Sequence, residues 1–220
     1  MKTVIVACRT IAAELNLAIR ETGCSHAVRW VDAGLHRSTA ALRDRLQDEL
    51  NRIGNAADRV LLAFGFCGNA VQNLTAPGFE LILPRADDCI TLLLDPGTHG
   101  KEMGTFYLTQ GWLENEISLW NEYRQTVERY GRPKADRVYR IMLSGYRKLG
   151  LIDTRAYPLA EILDQSREIA VVFGLNQQVV PGTVGYLKQL LTGPWDDERF
   201  IVIAPGESVS LERLQPFRID

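Results

Sequence analysis

Short apolar runs alternate with longer segments of helical periodicity along most of the chain. Runs of aliphatic residues without polar alternation are typical of strands that are buried on both faces of a sheet. Between these runs, apolar residues recur every three or four positions, which is the spacing of one face of a helix. The pattern therefore predicts an α/β fold, with a mostly parallel sheet and helices on both faces, because right-handed crossovers place helices there.

The first part of the chain contains four βα-type repeats of this pattern. Predicted strands cover residues 2–7, 27–31, 59–64 and 79–83. A helix is predicted over residues 11–22, where Gly23 ends it, and a second helix begins at Ser38 or Thr39 and ends before Gly54. Pro84 and the Pro-Gly pair at 77–78 bound the fourth strand.

From about residue 115 the sequence is helical and amphipathic. Two helices separated by residues 131–133 carry apolar stripes, and the stripes comprise Trp120, Tyr123, Val127 and Tyr130 on the first and Val138, Ile141, Met142 and Tyr146 on the second. Packing in the core is the favoured use of such stripes, with docking of a partner as the alternative. The α/β pattern then resumes, with helices at 159–166 and 183–191 and strands at 169–173 and 200–204.

These elements predict one α/β domain over residues 1–220, in which two α/β portions flank a helical segment. The sub-lobes expected are 1–114 and 151–220, and the helical segment is 115–150. Composition agrees with a globular domain, since 46% of the 220 residues are hydrophobic and 24% are charged. The net charge of -2 argues against nucleic acid as a partner. No signal peptide or membrane-spanning run is evident, which predicts a cytoplasmic protein without membrane attachment.

The cysteines change the picture because of where they fall relative to the predicted strands. Cys8, Cys67 and Cys89 follow the first, third and fourth strands, and His36 follows the second. The carboxyl ends of parallel strands share one edge of a sheet, where ligands usually bind, so these four side chains are expected on the same rim. Cys24 precedes the second strand and belongs to the opposite edge. In a reducing cytosol these cysteines are expected as thiols or metal ligands.

Three thiols and one imidazole are the donor set of a transition-metal site, such as zinc in Cys₃His ligation or an iron–sulfur cluster. The alternative is that each cysteine is a small buried hydrophobe at a strand end, and the joint placement favours the site. Gly65 and Gly68 allow tight turns there. Asp87 and Asp88 can cap a following helix, whose N-terminus would lower the pKa of Cys89. Asp88 can equally support a metal ligand.

Three further features of the sequence bear on catalysis or binding. Thr105, Tyr107 and Thr109 alternate as a short strand does, and the functional alternative is a lid that carries Tyr107 and Trp112 over a pocket. Glu14, in the first helix, is expected on a solvated face. His99 is at most a substrate contact in a glycine-rich loop.

Several motifs together resemble one family. They are Cys8, LH at 35–36, GFCG at 65–68, DDC at 87–89 and GTFYLTQGW at 104–112. This set is similar to an uncharacterised prokaryotic family catalogued as a domain of unknown function, number 1638. The resemblance spans most of the chain and gives a grouping without a reaction. It also implies an association with corrinoid-dependent methyltransferase systems, and so with methyl-group metabolism.

The residues support two main hypotheses about function. The first is a metalloenzyme, a metal-dependent transferase or hydrolase, whose metal is held by the three rim cysteines and His36, with Asp88 and Tyr107 as catalytic residues. Its cofactor is zinc, another transition metal or an iron–sulfur cluster, and its partner is a small-molecule substrate or a corrinoid-linked protein. The second is a non-catalytic binding or assembly protein that carries a metal or cluster. A third, metal-free hypothesis makes Cys67 a nucleophile and His36 its base.

Overall fold

The structure is a computed structural model that describes residues 1–32, 34, 38–94, 100–116 and 118–215. Its strands are β1 (Thr3–Cys8), β2 (Ala27–Val31), β3 (Arg59–Ala63), β4 (Glu80–Pro84), β5 (Thr105–Leu108), β6 (Lys148–Asp153), β7 (Asn176–Pro181) and β8 (Phe200–Ile203). Its helices are α1 (Ala12–Thr22), α2 (Thr39–Ile53), α3 (Gln110–Glu114), α4 (Leu119–Tyr130), α5 (Arg132–Met142), α6 (Leu159–Phe173) and α7 (Gly185–Thr192). The predicted fold class is confirmed, because the strands form mostly parallel sheets and alternate with helices.

The first sheet has the strand order β2-β1-β3-β4-β8, and only β8 is antiparallel to its neighbour. Strands β1, β3 and β4 are almost wholly aliphatic and buried, as expected for strands covered on both faces. Ala7 of β1 lies beside Trp30 of β2 and Ala63 of β3, so the carboxyl ends of these strands lie side by side. Helices α1 and α7 pack on each other, and α2 packs on β2.

The second sheet has the order β5-β6-β7 and is fully parallel. Its core is aromatic and lies between the sheet and helices α4, α5 and α6. Phe173 stacks on Tyr139 at 5.8 Å between ring centroids and meets Tyr123 and Trp120 edge-on. The chain enters this sheet after β4 and returns to the first sheet through α7 and β8.

The prediction for residues 159–173 was wrong in its second half. Residues 169–173 were predicted as a strand, but they continue α6. Ile169, Val172 and Phe173 are buried while Val171 is exposed, which is the burial pattern of a helix face that the β-branched composition obscures. The strand that follows is β7, a polar edge strand without the apolar signature of the others. Strand β6 was not predicted, because the amphipathic pattern was extended through Tyr146.

The two apolar stripes predicted for the helical segment differ in burial. Trp120 and Tyr123 of the first stripe are buried, as core packing requires. Val138, Ile141 and Met142 of the second stripe are exposed, and α5 instead buries Ala135 and Tyr139. Core packing, predicted for the aromatic stripe, is thus confirmed for Trp120 and Tyr123, while Tyr130 is 50% exposed. The second stripe does not form the buried face of α5, because Tyr139 of that helix packs on Phe173 instead.

The two sheets meet beside the carboxyl end of β1. A Cβ atom placed on Gly111 of α3 would lie 2.1 Å from the carbonyl oxygen of Thr10, so only glycine permits this approach. Helix α3 thereby lies on the segment that follows Cys8, and the second sheet borders the edge that carries the cysteines. Among the described residues, none of the helices combines the length and apolar character needed to cross a membrane.

Candidate functional site

Three cysteines converge at the carboxyl edge of the first sheet. Cys8 ends β1, Cys67 lies in the loop after β3, and Cys89 lies in the loop after β4. The Cys89 thiol is within hydrogen-bonding range of the side chains of both Cys67 and Cys8. Cys8 and Cys89 are buried and Cys67 is partly exposed, and none of them is in a disulfide. We refer to these three residues as the cysteine cluster. His36, predicted as its fourth member, lies outside the described residues.

Backbone pairing brings the loops after β3 and β4 together. The Phe66 N–H donates to the Ala86 carbonyl (2.7 Å), and the Cys67 N–H donates to the Asp87 carbonyl (2.8 Å). A Cβ atom on Gly65 would lie 2.3 Å from the Asp88 Cα, so the two loops can touch only if this residue is glycine. Gly65 therefore sets the distance between the two loop cysteines.

The loop that carries Cys67 has a left-handed backbone. Cys67, Gly68 and Asn69 have φ angles of 47°, 68° and 66°. A cysteine in this region is unfavourable relative to glycine, and such conformations persist where the surroundings impose them, often at functional sites. Here the imposed turn directs the chain so that the Cys67 thiol is partly open to solvent while it stays in range of Cys89.

The Cys89 thiol is held in its protonated form. Its hydrogen bond with Cys67 and its burial raise the pKa well above the ordinary value, and the hydrogen bond with Cys8 opposes this shift. The expectation that a helix N-terminus would lower this pKa was wrong, because residues 89–93 form turns and no helix begins at Asp88. Cys8 contacts the Thr10 hydroxyl at 3.0 Å.

The two residues predicted as catalytic, Asp88 and Tyr107, both face one cavity beside the cluster. Asp88 Oδ1 accepts hydrogen bonds from the N–H (3.0 Å) and hydroxyl (3.1 Å) of Thr91, and Oδ2 pairs with Lys101 Nζ at 2.6 Å. The Tyr107 hydroxyl accepts a hydrogen bond from the Glu102 N–H at 2.9 Å. Tyr107 belongs to β5, so the strand alternative for this segment is the observed one.

The cavity has a volume of about 910 Å³ and lies between the cysteine loops and the second sheet. Asp88 and Ile90, the two chain neighbours of Cys89, line one side of it. Five aromatic side chains line other parts of it, and these are Phe106, Tyr107, Trp112, Trp120 and Tyr146. In the sequence, this cavity is indicated by the aromatic residues within 104–112 and in the first helical stripe.

A second feature, Glu14, contradicts its sequence-based interpretation. Glu14 was expected on a solvated helix face, but it is fully buried in the first turn of α1. The Thr154 hydroxyl donates to its Oε1 at 3.4 Å, and its Oε2 has no partner among the described residues. Burial raises its pKa to about 7. Sequence periodicity could have flagged it, because Glu14 neighbours the apolar positions Ile11, Leu15 and Ala18 on one helix face.

The described residues contain no group of three or more His, Cys, Asp or Glu side chains arranged to hold a metal ion. The cysteine cluster is thus a convergence of three thiols at hydrogen-bonding range and not a ready-made coordination shell. His36 and His99 lie outside the described residues.

Comparison with family models matches the chain to a family described as a protein of unknown function (DUF1638), over residues 30–191. That range contains Cys67, Cys89 and all of the residues that line the cavity. Comparison with curated proteins and with solved structures gives no match.

Proposed function

The chain belongs to the DUF1638 family, as its motifs predict, and we propose that it binds a transition-metal ion, zinc foremost, through the cysteine cluster. The observation that carries this proposal is the contact of the Cys89 thiol with the side chains of both Cys67 and Cys8. Three sulfur donors delivered by three strand ends are the set that zinc, iron and other thiophilic metals select. Cysteines that served only as separate small core residues would not need to contact one another.

The fourth ligand in this proposal is His36, which is a prediction from the sequence. In the sequence it follows β2, and β2 is the neighbour of β1 on the side away from β3. Loops after parallel strands share one edge of a sheet, and this topology is the support for choosing His36. A bound zinc ion with an exchangeable fourth position acts as a Lewis acid, which fits a metal-dependent transferase or hydrolase. With four permanent ligands the ion would be structural, which fits the alternative of a binding or assembly protein.

Two residues near the cluster, Asp88 and Tyr107, have roles in this proposal besides metal binding. Lys101 and the Thr91 N–H fix the Asp88 carboxylate next to Cys89, so Asp88 holds the loop in place and presents a charge to the cavity. Tyr107 stands across the cavity, where its hydroxyl can donate a proton or a hydrogen bond to a bound molecule. Asp88 and Tyr107 are the residues that we propose for catalysis.

Metal binding must displace the proton that Cys89 holds. Because the pKa of Cys89 is raised, its thiolate is scarce at neutral pH, and metal affinity should increase as pH rises. Proton release on binding is therefore a signature of this thiol's participation.

The test is metal analysis of protein purified without oxygen, followed by zinc titration at several pH values. We expect one equivalent of metal, proton release, and affinity lowered by at least about 100-fold in Cys67→Ser and Cys89→Ser. Cys24→Ser is the matched control, because Cys24 lies at the opposite edge of the first sheet. Absence of stoichiometric metal, or an equal loss in Cys24→Ser, would refute the proposal. Colour under anaerobic conditions would identify an iron–sulfur cluster in place of zinc.

A second candidate is a metal-free thiol enzyme with Cys67 as nucleophile. The partial exposure of Cys67, beside the buried Cys89, favours this candidate. Its test is the rate of alkylation by iodoacetamide in chelator-treated protein. A Cys67 rate well above that of Cys24, unchanged by added zinc, supports the thiol enzyme, whereas protection of Cys67 by zinc supports the metal site.

A further inference from the structure

The cavity beside the cysteine cluster has the size and position of a small-molecule site. Its volume of about 910 Å³ falls within the range of ligand pockets, which is roughly 300–1,000 Å³. It reaches the residues on both sides of Cys89, and its other walls come from β5, α3 and the start of α4. The cavity therefore lies between the neighbours of Cys89 at the edge of the first sheet and the residues of β5, α3 and α4.

Five of the residues that line this cavity are aromatic. Phe106 and Tyr146 meet edge-on with 5.6 Å between centroids, and Trp112 and Trp120 lie along the same space. Ring faces and edges gain most from a planar aromatic ligand, which can stack on one ring and meet another edge-on. An aliphatic ligand of equal volume would gain only from burial. The walls thus favour a flat ring system.

One buried hydroxyl in the cavity lacks a hydrogen-bond partner. Thr105 is only 6% exposed, and its Oγ1 makes no hydrogen bond within the described residues. It lies near enough to the Glu102 carboxylate to help lower that group's pKa, but it makes no hydrogen bond of normal geometry with it. An unsatisfied buried hydroxyl costs free energy that a polar group on a ligand would recover.

Of the four charged residues that line the cavity, three are in ion pairs within the protein, and the fourth is Glu122. Lys101 pairs with Asp88, and Lys148 pairs with Glu102. A ligand with a net charge would have to compete with these pairs, whereas an uncharged ligand leaves them intact. The site chemistry is therefore aromatic with a single polar anchor.

We propose that this cavity binds an uncharged planar aromatic or heteroaromatic molecule that carries one hydrogen-bonding group. Its ring lies between Trp112 and Trp120, and its polar group meets the Thr105 hydroxyl. That this molecule is the substrate class of the cysteine cluster rests on the proposed function.

The test compares three probes by calorimetric titration: naphthol, naphthalene and decahydronaphthol, the saturated counterpart of naphthol. We expect naphthol to bind tightest, several-fold above decahydronaphthol because only the planar ring stacks. Thr105→Val, which keeps the shape and removes the hydroxyl, should weaken naphthol roughly 3- to 10-fold and leave naphthalene unchanged. Thr22→Val, at the end of α1 and away from the cavity, should change neither.

The outcomes separate this inference from the metal site. No naphthol binding, equal binding of naphthol and decahydronaphthol, or an unchanged naphthol affinity in Thr105→Val would overturn it. Cys67→Ser should retain full naphthol affinity because Cys67 does not line the cavity, so loss of the metal leaves the cavity result interpretable.

Discussion

The two sheets are built from different side chains and do different work. The first sheet is packed almost entirely with aliphatic residues and carries the cysteine cluster at its carboxyl edge. The second sheet is packed with aromatic rings and supplies most of the cavity walls. Aliphatic strands give a close-packed edge on which loops can approach closely, as they do at Gly65. Aromatic side chains suit flat ligands. In our two proposals, the positioning of the cysteines and the recognition of a ligand therefore belong to separate sheets.

The largest effect should come from the aromatic core. Phe173 contacts three other rings, so Phe173→Ala should lower the free energy of unfolding by about 3–5 kcal/mol. The measurement is urea denaturation. Val171→Ala is the control, because Val171 is 77% exposed and its loss should cost no more than about 0.5 kcal/mol. Equal losses in the two variants would contradict the packing described for the second sheet.

A smaller effect, set by pH, should come from Glu14 between the two sheets. Its pKa is about 7 in the folded protein against 4.5 in the unfolded chain, so the folded state holds a proton that the unfolded state releases. The free energy of unfolding should therefore fall as pH rises from 4.5 to 7, by up to about 3 kcal/mol. The groups that face the Glu14 carboxyl from neighbouring elements are Thr154, Glu114 and Tyr157.

The matching variant is Glu14→Gln, which keeps the shape and cannot ionise. Urea midpoints between pH 4.5 and 8 should show the decline in the parent protein and a flatter curve in the variant. The variant should be the more stable of the two at pH 8. Parallel curves for both proteins would show that the Glu14 carboxyl is not held neutral at the junction of the sheets.

The next effect concerns the loop contact that holds the cluster. Gly65→Ala places a methyl group against the Asp88 backbone, so we expect a loss of about 1–3 kcal/mol in stability and weaker zinc binding. Gly145→Ala is the control, because a Cβ there meets nothing within 4 Å. A Gly65→Ala protein with full stability and zinc affinity would mean that the two loops need not touch.

The elements of the first sheet could be predicted from sequence because each strand is a continuous apolar run between clear stop signals. β2 begins and ends at the predicted residues, and Ser38 caps α2 as predicted, with its hydroxyl accepting from the Ala41 N–H. The second sheet was harder, because β7 is a polar edge strand and the end of α6 is rich in β-branched residues. Local composition there opposes the structure that tertiary packing selects.

The convergence of three cysteines could be inferred from topology alone, because loops after parallel strands share an edge. The protonation of Cys89 could not, since it depends on contacts with Cys67 and Cys8 that only the folded loops create. The burial of Glu14 was missed for a similar reason. Its polarity suggests solvent, although its position among Ile11, Leu15 and Ala18 places it on the apolar face of the helix. Its contact with Thr154, from the loop after β6, is a tertiary contact that the sequence does not show.

The most direct test of the cluster is cobalt(II) binding followed by absorption, because thiolate-to-cobalt charge-transfer intensity increases with the number of thiolate ligands. The account predicts an intensity that corresponds to three thiolates and falls by about a third in Cys8→Ser, Cys67→Ser or Cys89→Ser, as expected for three equivalent donors. Cys24→Ser should leave it unchanged. A spectrum without charge-transfer absorption, or one that depends on Cys24, would contradict the claim that these three strand ends form one metal site.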